Sequence, residues 1–290
     1  LLMSFGACTK NVFNGRSELT STSSVAFLKH YSAPYAAIQF AGCWGEKTGL
    51  APVFSFQGTE SVRTACFVDG YNLFYGLLAG TEYKWLDLPA LLTHILRAEQ
   101  PESELASVCF FTSGVKPDLA TRGRTSKEAQ DTYLRALIEK GVRVYYGRHQ
   151  LEPRLAPRFV DRNTPASRLD QVAIWKLEEK ETDVHIAISM YRLAAKQAAL
   201  PACERIGQIV LVSADTDMTP VLKALREDYP EVQVGVILPH REDIKRNAPG
   251  SLRNHSHWMR HVVTREELAA CQLPRQVPTR KKPARKPDYW

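Results

Sequence analysis

From residue 62 onward the sequence predicts an α/β protein built around a parallel sheet of about five strands. Two observations predict it. Short apolar runs alternate with stretches whose apolar residues recur at helical spacing, the pattern of a parallel sheet with right-handed crossovers. Two of the apolar runs, CFVDGYN at 66–72 and IVLVSADTDMT at 209–219, contain a strand-like core that stops at an aspartate. In a parallel sheet the strand C-termini share one edge, and ligands bind in the crevice there.

Each element has its own signal. Residues 64–69 read as the first strand, and helices are expected over 71–79 and 87–98, the second with Asp87 near its start. A strand over 106–112 precedes a helix over 126–140, capped by Ser126 and closed by Gly141, and then a third strand over 142–146. Residues 147–168 read as a loop, and a helix over 182–198 starts at Thr182. A fourth strand (208–213), a helix (218–227) and a fifth strand (232–238) follow, with a short strand over 257–263 and a short helix over 264–271. Residues 1–61 hold no steady period and are expected to be a poorly ordered extension or non-native upstream sequence, with Val62 corresponding to an alternative start. The Pro-rich stretch 273–290 is expected to be an extended or disordered basic tail. The folded domain is accordingly bounded at 62–272.

The chain has 290 residues, 44% hydrophobic, enough for one large core or two small ones. No stretch approaches the ~18–20 apolar residues of a membrane helix. Six cysteines are scattered without a CxxC pair, which fits a reduced, cytoplasmic setting better than a disulfide scaffold or a zinc site. The net charge of +7 is uneven: residues 273–290 carry six basic groups against Asp288, leaving the body nearly balanced. Basic tails are mostly solvated, and a share of them bind nucleic acid.

Asp69 ends the first strand, Asp215 and Asp217 follow the fourth, and Asp183 stands at the mouth of a helix. Taken singly, each is an ordinary helix cap or turn residue. Taken together at one sheet edge they favour a site, because converging carboxylates repel unless a cation sits between them. Mg²⁺ and Mn²⁺ suit such oxygen ligands, and a centre of this kind can hold a phosphodiester and activate water. Two basic stretches follow strands at the same edge. The first carries Lys116, Arg122, Arg124 and Lys127; the second carries Arg148, Arg154, Arg158, Arg162 and Arg168, with Lys180 further on. A basic rim around an acidic centre suits a polyanionic backbone, although long basic loops are often merely solvated. His255, His257 and His261 lack an acid to complete a zinc triad and are read as structural.

Asp215-Thr-Asp217-Met-Thr219 also matches the DxDxT pattern of haloacid-dehalogenase phosphatases, an alternative that would make the chain a phosphomonoesterase. In that family the motif opens the domain and a paired-acid motif follows it; here neither holds.

FVDGYNLFYG at 67–76, EEKETDVHIAISM at 178–190 and VLVSADTDMTPVLKALRE at 210–227 together resemble the three motifs of the NYN domain, LabA-type branch of the PIN-like nuclease superfamily, over roughly residues 62–274. The resemblance implies a PIN-like three-layer α/β/α sandwich and Mg²⁺- or Mn²⁺-dependent endonucleolytic cleavage of RNA, single-stranded or structured. It carries the catalytic and metal roles onto Asp69, Asp183, Asp215 and Asp217. Asn72 would orient a ligand or water, and Ser213 would hold the strand end or touch a phosphate. Many family members have a further acid where this chain has Ser189, which bears on whether one metal or two are used. The rival reading is a nuclease-like fold that grips RNA or a protein partner, or a second copy of itself, without cutting.

Overall fold

Strand β1 (Val62–Asp69) forms the centre of the molecule, buried at every residue from Thr64 to Asp69. Its side chains alternate between two cores, as the two-residue repeat of a strand requires. Cys66 and Val68 enter one core, Ala65 and Phe67 the other. The computed structural model describes residues 61–290 except Ala198, Lys245, Arg246 and Lys281. The expected N-terminal extension, all but Ser61, lies outside the described residues.

After β1 come α1 (Gly70–Leu73), continued by a π-helical turn (Phe74–Leu78), then α2 (Leu88–Glu99), β2 (Ser103–Thr112), α3 (Arg124–Glu139) and β3 (Arg143–Tyr146). A second series follows a separate hairpin, β4 (Arg148–Pro157) with β5 (Gln171–Lys180). It consists of α4 (Thr182–Gln197), β6 (Gln208–Val212), α5 (Thr219–Asp228), β7 (Gln233–Ile237), α6 (Gly250–Asn254), β8 (Trp258–Arg260) and α7 (Arg265–Ala270). The six sheet strands lie in the order β3-β2-β1-β6-β7-β8, all parallel. The sixth, β8, is the short strand expected over 257–263. The chain winds outward from β1 in one direction and from β6 in the other, so the topological switch falls between β1 and β6. That is where open α/β sheets bind ligands.

The helices form where their apolar spacing demands. In α2, Leu88, Leu91, Leu92, Ile95 and Leu96 are buried on one face, and the Asp87 carboxylate accepts from the Ala90 amide at 3.3 Å. In α4 the buried stripe is Ile186, Met190 and Ala194. One expected cap is corrected. Helix α3 begins two residues before Ser126, behind Gly123 at φ 53°, and the Ser126 hydroxyl accepts from the Arg122 amide instead. Its other end behaves as expected, with Gly141 at φ 84° just past the last turn. His257 is structural, its Nδ1 accepting from the Val234 amide at 2.8 Å.

Two larger corrections concern segments read as irregular. The first part of the basic loop expected over 147–168 is strand: β4 and β5 form an antiparallel ribbon with Arg148 opposite Lys180 and His149 opposite Glu179. Most of its residues are exposed on both faces, including Leu155 and Trp175. With neither face committed to the core, its sequence shows no apolar alternation to announce a strand.

The Pro-rich stretch, expected to be disordered, folds onto the body. Leu273, Val277 and Ala284 join the core of α2 and α3, and β9 (Gln276–Val277) pairs with β10 (Ala284–Arg285). The Trp85 indole donates to the Pro274 carbonyl at 2.8 Å, and the Trp290 ring meets those of Trp85 and Tyr133 edge-on at 6.2 and 5.9 Å. The folded body therefore runs through residue 290 rather than ending at 272. Removing residues 284–290 is expected to destabilise the domain by about 3 kcal/mol or more, since a tryptophan and a fully buried alanine leave the core. Urea unfolding of the full and shortened chains checks this; an unchanged midpoint would contradict the packing.

Candidate active site

The parallel register that pairs Val68 with Val212 sets the next residue of each strand side by side, Asp69 on β1 and Ser213 after β6. Asp69 is only 3% exposed. Its Oδ1 accepts from the amides of Tyr71 and Asn72 at 3.1 and 3.0 Å. Its Oδ2 accepts from Asn72 Nδ2 at 2.6 Å and from the Ser213 hydroxyl at 3.0 Å. A carboxylate offers about four lone-pair directions, so this one is saturated. The network continues: Asn72 Oδ1 accepts from the Ala214 amide at 3.3 Å, Ser213 Oγ from the Asp215 amide at 3.1 Å, and Asp215 Oδ1 from the Asp217 amide at 2.9 Å. Burial pushes the Asp69 carboxyl above its usual range, and the Glu179 charge adds to this; the bonds from Asn72 and Ser213 oppose it without cancelling it.

Asp183 opens α4 at the same edge, in a residue exposed overall. Its carboxyl is held up at about 6, first by loss of water around it and then by the charges of Asp69, Asp215, Glu179 and Asp217. Asp183 is thus the acid on which the fields of four others fall. Glu179 is the one the sequence reading did not single out. It sits at the root of the β4–β5 ribbon, and its Oε1 accepts from the hydroxyls of Ser113 at 2.9 Å and Thr182 at 2.6 Å. It also raises the Tyr71 phenol, after burial and ahead of Tyr75. His149, opposite Glu179, shares a 2.8 Å hydrogen bond with the Tyr71 hydroxyl and a 2.9 Å one with the Gly114 carbonyl. Ser189 lies six residues beyond Asp183 on α4, about 9 Å along the helix axis, and is partly buried.

The basic residues stand as follows. Lys116, Arg122 and Arg124 are exposed beside the edge, on the β2–α3 connection and the start of α3. Lys127 pairs with Asp131 at 2.6 Å, Arg148 with Glu181 at 3.1 Å, Arg154 with Glu178 at 3.6 Å and Arg158 with Asp170 at 3.1 Å, while Lys180 is bonded to Glu178. Much of the basic rim is therefore matched by its own acids. Arg162 and Arg168 are exposed in the turn of the ribbon, away from its root.

The donor set suits a hard divalent cation in kind: carboxylate oxygens, crowded enough that one of them is held near pH 6. Among the described residues no three His, Cys, Asp or Glu side chains close around an ion as they stand. Asp183 and Asp217 are exposed and Asp215 is partly buried, so water can reach all three, whereas Asp69, with every lone pair taken, would have to release a donor to bind an ion directly.

The fold is an open parallel α/β sheet with acids gathered at its switch point. The match of the NYN domain model to residues 63–257 shows that this chain belongs to the NYN domain family, within the PIN-like nuclease superfamily. A curated relative, the 6-hydroxy-3-succinoylpyridine 3-monooxygenase HspA of Pseudomonas putida, is 32% identical over 249 residues, spanning 80% of this chain and 76% of its own length. A crystal structure of a protein of unknown function from Vibrio parahaemolyticus matches at TM-score 0.38 and 15% identity over 70% of this chain and 94% of that one, too distant to bear on the site. No helix among the described residues is long and apolar enough to cross a membrane.

An acid whose folded pKa is raised binds its proton more readily folded than unfolded. It therefore costs stability above that pKa, and the cost fades as pH falls towards the unfolded value. For Asp183 the window runs from about 6 down to 3.8. Without divalent cation, Asp183→Asn is expected to be more stable than the parent at pH 7, by no more than about 1 kcal/mol after solvent screening, with the gap closing by pH 4. Thermal melts across that range in EDTA check this; a variant less stable than the parent at pH 7 would show that the crowding does not exist.

Proposed function

We propose that this chain hydrolyses RNA phosphodiester bonds with the help of Mg²⁺ or Mn²⁺ at the acid edge. The observation that carries the reading is the convergence of Asp69, Glu179, Asp215 and Asp217 on Asp183 at the topological switch point, in a domain of the NYN family. A bound cation would offset phosphate charge and make water more acidic there. Asp183, Asp215 and Asp217 would hold it. Asp69, locked by Asn72 and Ser213, fixes the turn that aims Asp215 and Asp217. Glu179, oriented by Ser113 and Thr182, can accept a proton at its free oxygen. Lys116, Arg122 and Arg124 supply phosphate contacts. The expected products carry 5′-phosphate and 3′-hydroxyl ends, because the 2′-hydroxyl takes no part.

A second reading rests on the relative named as a monooxygenase acting on a substituted pyridine, whose identity to this chain spans 76% of its length. On that reading the chain oxidises a small heteroaromatic substrate, and the acid edge is inherited architecture.

Purified protein with labelled RNA, in Mg²⁺, Mn²⁺ or EDTA, separates the two. Cleavage is expected with metal and not with EDTA. Asp183→Asn and Asp215→Asn should each lower it at least about a hundredfold, about 2.7 kcal/mol of barrier. A parallel arm supplies 6-hydroxy-3-succinoylpyridine and a reduced nicotinamide and follows oxygen uptake. RNA left intact under every metal condition, with oxygen consumed, would replace the first reading by the second.

A further inference from the structure

Beside the acid edge, on the far side of the turn that holds Asp69, lies a cavity of about 370 Å³. Small-molecule sites occupy roughly 300–1,000 Å³, so there is room for one ring system and a substituent. Gly70 and Tyr71 form one wall, and the amide of Tyr71 is among the donors to Asp69. Phe74, Phe110, Tyr133, Tyr289 and Trp290 supply further aromatic surface. The polar side chains at the wall are largely spent on the protein. Gln130 accepts from the Val115 amide at 2.7 Å and donates to the Ser113 carbonyl at 2.9 Å, and the Tyr133 hydroxyl donates to the Leu86 carbonyl at 3.0 Å. Recognition is left to ring faces and to charge.

The charge has one sign. Lys84 and Arg122 line the cavity, no acid lines it, and among the described residues neither cation forms a salt bridge. The Arg122 guanidinium lies 4.5 Å from the Tyr289 ring centroid, which holds a cation at the rim against an aromatic wall. Segment 284–290, anchored by Ala284 in the core and by the Tyr289 hydroxyl on the Thr125 carbonyl at 3.0 Å, closes that side.

We propose that this cavity binds a planar heteroaromatic ring bearing an anionic group, the ring against the aromatic walls and the anion at Arg122 and Lys84. The inference rests on the cavity alone and stands whether or not the acid edge cleaves RNA. Two sources share this chemistry: a nucleotide unit of a nucleic acid, and a free heteroaromatic acid.

Calorimetric titration tests it with uridine and adenosine 5′-monophosphates, with 6-hydroxynicotinate, with the neutral ring 2-hydroxypyridine and with the ringless anion succinate. At least one ring-bearing anion is expected to bind at least tenfold more tightly than either 2-hydroxypyridine or succinate. Arg122→Ala and Tyr75→Ala change rim residues, the second 66% exposed, so the fold is spared. Arg122→Ala should weaken the ring-bearing anion at least tenfold and leave the neutral ring unchanged, and Tyr75→Ala should weaken both. Binding confined to the monophosphates assigns the cavity to a nucleotide, and binding confined to 6-hydroxynicotinate assigns it to a free acid; either supports the proposal. Succinate binding as tightly as the ring-bearing anions, no binding of any of them at millimolar concentration, or affinities untouched by both variants would overturn it.

Discussion

Mutual repulsion among carboxylates at the β1–β6 switch point is the constraint around which this domain is organised. Five acids share one edge, and nothing in their own chemistry keeps them together. The fold does so by placing the most buried of them, Asp69, at the end of a strand covered on both faces and giving each of its lone pairs a donor. A buried carboxylate without those donors would be costly. With them it becomes the fixed point from which the Ser213–Asp215–Asp217 turn is hung. The two apolar cores, one on each face of the sheet, supply the burial against which this local cost is set.

The same economy is visible where the ribbon joins the body. Glu179 reaches the crevice because β5 ends there, and the chain then turns into α4 through Glu181 at φ 76°, a left-handed conformation unusual for a residue with a side chain. A Cβ at Gly147 would collide with Thr182 Oγ1 and the Lys180 carbonyl, so the start of the ribbon and the start of α4 can approach only through a glycine. Strained backbone of this kind is retained where surrounding contacts over-determine it. Here those contacts are the two hydroxyls on Glu179 and the Arg148–Glu181 pair.

What could be read in the sequence, and what could not, follows from where the signal is written. The strands β1 and β6 are short apolar runs ending in polar residues, and the Asp87 cap and the stripes of α2 and α4 are local patterns; all were legible. The β4–β5 ribbon was not, because an element exposed on both faces has no burial pattern to display. Residues 273–290 misled for the opposite reason: a few anchors, Leu273, Val277, Ala284 and Trp290, carry the packing while the charges around them dominate composition. Glu179 was hidden with the ribbon that delivers it. His149 gave no signal at all, since its partner Tyr71 is 78 residues away.

One turn of chain serves both faces of the site. A Cβ on Gly70 would lie 2.7 Å from the Phe110 ring and 2.7 Å from the Phe111 carbonyl, so only glycine lets α1 settle onto β2. From that seat the amides of Tyr71 and Asn72 point at Asp69, while Tyr71 walls the aromatic cavity. In the binding proposed above, the ring of a nucleotide would lie against the aromatic walls with its phosphate at Arg122 and Lys84, and a small aromatic acid would use the same ring faces and the same two cations.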